Sequence, residues 1–127
     1  MQRAPGLFTT YNLLLASESY LGKNPNTVKA VLRGLLRANE QIQTAAGQQM
    51  AAKSIRQNES PGMAEDVLLK MIETRKFTMT IDAGLVDGLQ KMTDFLFSVQ
   101  RINRRAEVRE WLVPGPLREV RPDLVKI

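Results

Sequence analysis

A chain of 127 residues with 43% hydrophobic and 24% charged side chains is long enough for one modest core and too apolar to be disordered. With neither cysteine nor histidine, disulfides, thiol nucleophiles, the commonest general base and the commonest metal ligand are all absent, so no catalytic residue, metal site or cofactor is expected. The net charge of +5, with a pI near 9.9, argues only weakly for an acidic partner, because Glu107 and Glu110 are mixed among Arg101, Arg104, Arg105 and Arg109.

No stretch approaches the roughly 18 consecutive apolar residues of a membrane span. Arg3 precedes a leucine-rich segment, but Thr9, Thr10 and Asn12 interrupt it and leave only Leu13 to Ala16 unbroken. A secretion signal needs an apolar run of about 7 to 15 residues, so none is expected here, and the chain made as given would be cytoplasmic. Residues 7–16, LFTTYNLLLA, are rich in β-formers and read as a strand.

Asn24-Pro25 then opens a helix over 25–43, with an amide to cap free N–H groups and a proline that loses nothing at the first helical position. Val28, Val31, Leu32, Leu35, Leu36 and Ile42 make its apolar face. Gly47 breaks the pattern. A short helix over 48–57 turns Ala51, Ala52 and Ile55 inward, and Ser60-Pro61 repeats the opening device for a helix over 61–74 carrying Met63, Val67, Leu68, Met71 and Ile72.

Residues 76–81 look extended, with FTMTI a weak second strand. Asp82 is placed to cap the longest helix, 83–102, whose stripe is Leu85, Leu89, Met92, Leu96, Val99 and Ile102. Pro114, Gly115, Pro116 and Pro122 make the tail, 103–127, irregular with one or two short helical turns. Met63, Met71 and Met92 read as core fillers, and Trp111 as the packing anchor of the tail.

The expected fold is mainly α with one or two short strands, a single partial domain over 1–127. An apolar strand needs a neighbour for its backbone groups, and this inventory barely supplies one. Segment 7–16 must therefore pair with FTMTI, pair between chains, or belong to something larger.

Three stretches carry a resemblance. YNLLLASESYLGKNPNTVKAVLRGLLRANEQI joins a strand to a helix opened by Asn24-Pro25. TIDAGLVDGLQKMTDFLFSVQRI places Asp94 before the pair Phe95-Leu96. AEVREWLVPGPLREVRPDL runs from Val108 and Trp111 into a short helix. In this order, over residues 7–124, they resemble the C-terminal part of the periplasmic substrate-binding proteins of ABC importers, of the nitrate, sulfonate and taurine type.

The resemblance implies the last third of a two-lobed α/β protein (type II), a periplasmic location, a small anionic or sulfonated ligand, and delivery to an ABC permease. The helix N-termini that usually hold such a ligand would lie upstream, so the chain alone is not expected to bind it. Its uncovered apolar surface would favour self-association. A related branch makes a thiamine precursor with histidine and cysteine, and that chemistry is closed to this chain.

Thr10 and Tyr11, on the strand that would approach a cleft, are the candidate ligand contacts. Asp82, Asp87 and Asp94, with Tyr11 or Lys91, are the groups acid–base chemistry would have to use; no partner of matched pKa accompanies them, so no enzyme is expected. The competing reading is a small basic helical interaction or nucleic-acid-binding protein built on residues 101–109 and Trp111. The missing helix-turn-helix spacing and stacking pair argue against nucleic acid.

Overall fold

The computed structural model describes residues 11–75 and 77–127, and the protein is mainly helical. In chain order the elements are α1 (Glu18–Lys23), α2 (Pro25–Ile42), α3 (Ala45–Asn58), α4 (Glu65–Glu73), β1 (Ile81–Asp82), α5 (Ala83–Ser98), α6 (Val108–Trp111), α7 (Gly115–Val120), a 3-10 turn (Pro122–Leu124) and β2 (Val125–Lys126). The chain divides into two compact units. One takes the described residues up to Val28 together with Thr80–Ile127, and the other is Lys29–Met79.

In the Lys29–Met79 unit the core is Ala52, Leu68 and Ile72, with Ile42, Ala51, Ile55, Leu69 and Phe77 packed around them. Ala52 is fully buried between α3 and α4, and its single methyl lets the two helices approach closely. Gly47 is required by a backbone approach at the α2–α3 turn: a Cβ there would run into the Gln41 carbonyl, which already accepts from the Thr44 hydroxyl at 2.8 Å. Thr44 also caps α3 by accepting from the Gly47 N–H at 3.0 Å, so α3 begins at Ala45, ahead of the expected 48.

The helix expected over 61–74 starts late, at Glu65. Ser60 is used to close α3, its N–H donating to the Ile55 carbonyl at 2.8 Å, and its own carbonyl accepts from Met63 across the Pro61-Gly62 turn. Asn24 likewise serves the helix before it, its amide donating to the Tyr20 carbonyl at 3.2 Å. That preceding helix, α1, is too short to leave a periodic signature, and Ser17 caps it.

In the other unit Ile81 and Asp82 pair in parallel with Val125 and Lys126, so the partner of the weak second strand is the chain's last segment. The strand expected over 7–16 does not form in its described part. Residues 11–17 are irregular, Leu13, Leu14 and Leu15 are exposed (Leu15 by 83%), and residues 7–10 lie outside the described residues. Propensity gives way because β1 is only two residues long and residues 11–17 pair with neither strand, and a strand without a ladder gains nothing over hydrated coil.

Helix α5 buries Val86 and Leu89 and ends at Ser98, short of the expected 102. The stop is a Schellman turn. Gln100 is left-handed (φ 56), its N–H donates to Phe97, and the Arg101 N–H reaches back to Leu96 at 2.8 Å. Glycine is the usual residue there, so Gln100→Gly is expected to raise stability by about 1 kcal/mol, read from the urea midpoint.

The methionines are not core: Met63, Met71 and Met92 are all more than a third exposed, because the apolar stripes they continue are wider than the faces actually covered. Trp111, expected as an anchor, is 75% exposed, and Val108 and Leu117 hold the tail instead.

Candidate functional site

Tyr11 is half-buried in coil, and its ring and hydroxyl lie against Gly88 in the middle of α5, where a Cβ would collide with them. Glycine costs a helix interior about 1 kcal/mol, and here it makes room for the phenol. The candidate contact is thereby a packing group on the helix, while Thr10 lies outside the described residues. Gly88→Ala is expected to displace Tyr11 and leave α5 intact. Chymotryptic cleavage after Tyr11 should accelerate several-fold, with helical circular dichroism unchanged.

Asp82 caps α5. One carboxylate oxygen accepts from the Leu85 N–H at 2.9 Å, the other from the Thr80 hydroxyl at 3.1 Å, and these bonds hold its pKa below the ordinary value. The carboxylate fills the anion-attracting end of the helix with the protein's own charge. Asp87 and Lys91 are exposed.

The most organised polar group is one the sequence does not advertise. Gln90 donates through Nε2 to the Ala106 carbonyl at 3.1 Å and to Asp94 Oδ1 at 3.0 Å, and its Oε1 accepts from the Val108 N–H at 3.0 Å. It thus clamps the returning chain to α5 as a strand neighbour would, pairing one carbonyl and one amide. Asp94 extends the clamp. Its two oxygens accept from Arg105 Nε at 2.8 Å and Nη2 at 3.1 Å. The available signal was positional: Gln90 stands one turn beyond Val86, where the buried stripe would otherwise continue.

The Arg105 guanidinium, and then the Gln90 amide, hold Asp94 below the ordinary carboxylate value of 3.8, and Asp94 in turn raises Arg105. A carboxylate whose pKa is depressed on folding contributes stability above its unfolded pKa and loses it as pH falls through the folded one. Asp82 and Asp123 are shifted the same way. Acid should therefore weaken the fold, and the gap between wild type and Asp94→Asn in urea midpoint should stay constant near neutral pH and close as pH falls from about 5 through and below the ordinary carboxylate range. A gap that persists at the lower pH would mean that the pair is not the cause. Both partners are open to solvent, Arg105 exposed and Asp94 half-exposed, so added salt should narrow the gap too.

Beyond the Schellman turn, residues 95–106, FLFSVQRINRRA, contain three arginines and no carboxylate. Phe95 (62%), Phe97, Val99, Arg101 and Arg104 are exposed, and Trp111 follows on α6.

Two shallow, open grooves lie along α3 and α4. One is lined by Lys53, Arg56, Gln57, Pro61 and Glu65, the other by Gln49, Ala52, Glu65, Asp66 and Leu69. Glu65 sits 3.8 Å from Arg56 and offsets its charge. Among the described residues no three carboxylates gather as a metal site would need, and no helix is long and apolar enough to cross a membrane. Comparison with known proteins returned no matching family model, curated protein or solved structure.

Proposed function

We propose that this chain is scaffold from the C-terminal part of a two-lobed solute-binding protein of the nitrate, sulfonate and taurine type, which delivers a small anion to an ABC permease. The observation that carries the reading is the parallel pairing of β1 with β2, joined through α5, α6 and α7. Parallel strands occur almost only in α/β sheets covered on both faces, and strands of two residues fall far short of the usual five or six. Such a pair reads as the rim of a sheet that other strands continue. The exposed run Leu13–Leu15 is the apolar surface such strands would cover.

On this reading the chain alone does not hold the ligand. The N-terminus of α5 is filled by Asp82, the first turn of α4 carries Glu65 and Asp66, and Tyr11 is committed to Gly88. Titration calorimetry with taurine, nitrate and short alkanesulfonates is expected to show no heat of binding. Light scattering is expected to show association, and a hydrophobic dye should bind. A monodisperse, compact monomer that leaves the dye dark would overturn the proposal.

A second reading, a small basic interaction or nucleic-acid-binding protein, gains from the exposure of Trp111 beside Arg109 and after the carboxylate-free segment 95–106. It requires oligonucleotide binding that weakens steeply between about 50 and 200 mM salt. Absence of binding at the lower salt would sink it.

A further inference from the structure

We infer that the tip formed by the end of α5 and the loop after it is a docking surface for an anionic lipid bilayer. The clamp fixes the geometry. With Arg105 held at Asp94 and Val108 held at Gln90, residues 99–104 must reverse direction beyond the last turn of α5, through the left-handed Gln100. Val99, Arg101 and Arg104 are therefore carried on the reversing loop, with Phe95 and Phe97 on the last turn of α5 before it, and all five are exposed.

The chemistry of the tip selects the partner. Residues 95–106 carry three arginines against no carboxylate; Arg105 is committed to Asp94, and Glu107 and Glu110 follow only on the returning segment, so the exposed Arg101 and Arg104 are the cations that the tip offers an anionic surface. Large apolar side chains alternate with those charges, the composition of a segment that seats its apolar groups at the acyl boundary and its cations among headgroups. A nucleic acid fits less well. Phe95 and Phe97 are two positions apart on a helix, about 200° around its axis, so they cannot stack successive bases on one platform. Entering an interface end-on buries both. Val99, which has no face for a base, is equally at home there.

The inference does not rest on the solute-binding reading, and its test does not use a solute. Co-sedimentation reports binding directly; Trp111, the chain's one tryptophan and exposed on α6, adds an emission signal if α6 is drawn to the interface with the tip. The purified chain would be mixed with vesicles of phosphatidylcholine, alone or with about 30% phosphatidylglycerol, at about 50 and about 500 mM salt, and sedimented.

The expected result is co-sedimentation with the anionic vesicles at low salt, lost at high salt and absent with phosphatidylcholine. The double variant Arg101→Gln/Arg104→Gln, with unchanged circular dichroism, should partition about 25-fold less well, about five-fold for each charge. Equal binding to neutral vesicles, no binding at low salt, or unchanged partition of the double variant would overturn the inference. So would displacement from anionic vesicles by an equal charge of single-stranded oligonucleotide. A blue shift that grows with protein concentration without lipid would overturn it too, because a second copy would then cover the tip.

Discussion

Replacing Leu68 with alanine is expected to cost about 2–5 kcal/mol, the largest effect of any single truncation in the Lys29–Met79 unit. Leu68 is 5% exposed and sits with Ala52 and Ile72 at the centre of the cluster of buried residues that α3 and α4 share. Removing its branched end strips apolar area from water-free contact and leaves a hole. The hole does not close easily, because the facing residue is already alanine and Gly47 already holds α3 against the Gln41 carbonyl. Domains of this size are stable by about 5–15 kcal/mol in total, so the loss is a large share of what is available. Urea unfolding followed at the helical circular dichroism band should show a midpoint shift of that size. Val67→Ala, one residue away but 44% exposed, should stay within about 0.5 kcal/mol of wild type. Similar losses for the two variants would mean that Leu68 is not the keystone of this core.

How much of the protein was legible beforehand follows from which interactions are local. Helical spacing is local, so α2, α3, α4 and α5 could be read from their apolar stripes, as could the inward set Ala51, Ala52 and Ile55. Asp82 is a local cap and fills the role its position suggests. The same logic failed where one residue had two possible duties. Ser60 precedes a proline and looks like an opener, yet its hydrogen bond closes the helix behind it and α4 waits until Glu65; Asn24 also donates backward, but α2 does begin at Pro25 as its sequence suggests.

Non-local pairing was not legible. Nothing in LFTTYNLLLA says whether a strand lies beside it, and nothing in FTMTI announces that its end pairs with Val125 and Lys126. The width of a covered face is equally invisible, which is why Met63, Met71, Met92 and Trp111 lie nearer the solvent than their chemistry suggested. For the candidate site, Tyr11 stands out by its place in LFTTYNLLLA, and what it packs against is a glycine 77 positions on, at 88.

Gln90→Leu is the second large effect expected, and it tests whether the clamp organises the return segment. Leucine keeps most of the side chain's bulk and its place on the buried stripe, so packing against Val86 and Leu89 is largely preserved. What disappears is the pairing of the Ala106 carbonyl and the Val108 N–H, each partly shielded from water by α5. Leaving a shielded backbone group without a partner costs about 1–3 kcal/mol. The loss should be local: exchange of the Val108 amide should quicken by about 5- to 150-fold, while amides in the middle of α3 keep their protection. Gln90→Glu separates the two halves of the clamp. Its carboxylate still accepts from Val108 but cannot donate to Ala106, and it stands beside Asp94, which raises its folded pKa. The sign of its pH dependence is therefore opposite to that of Asp94. Protonation restores a donor and relieves the repulsion, so the defect should shrink as pH falls through the raised value. If both variants left Val108 exchange unchanged, the segment would be held by Val108 and Leu117 alone, and the tip it shapes would owe nothing to Gln90.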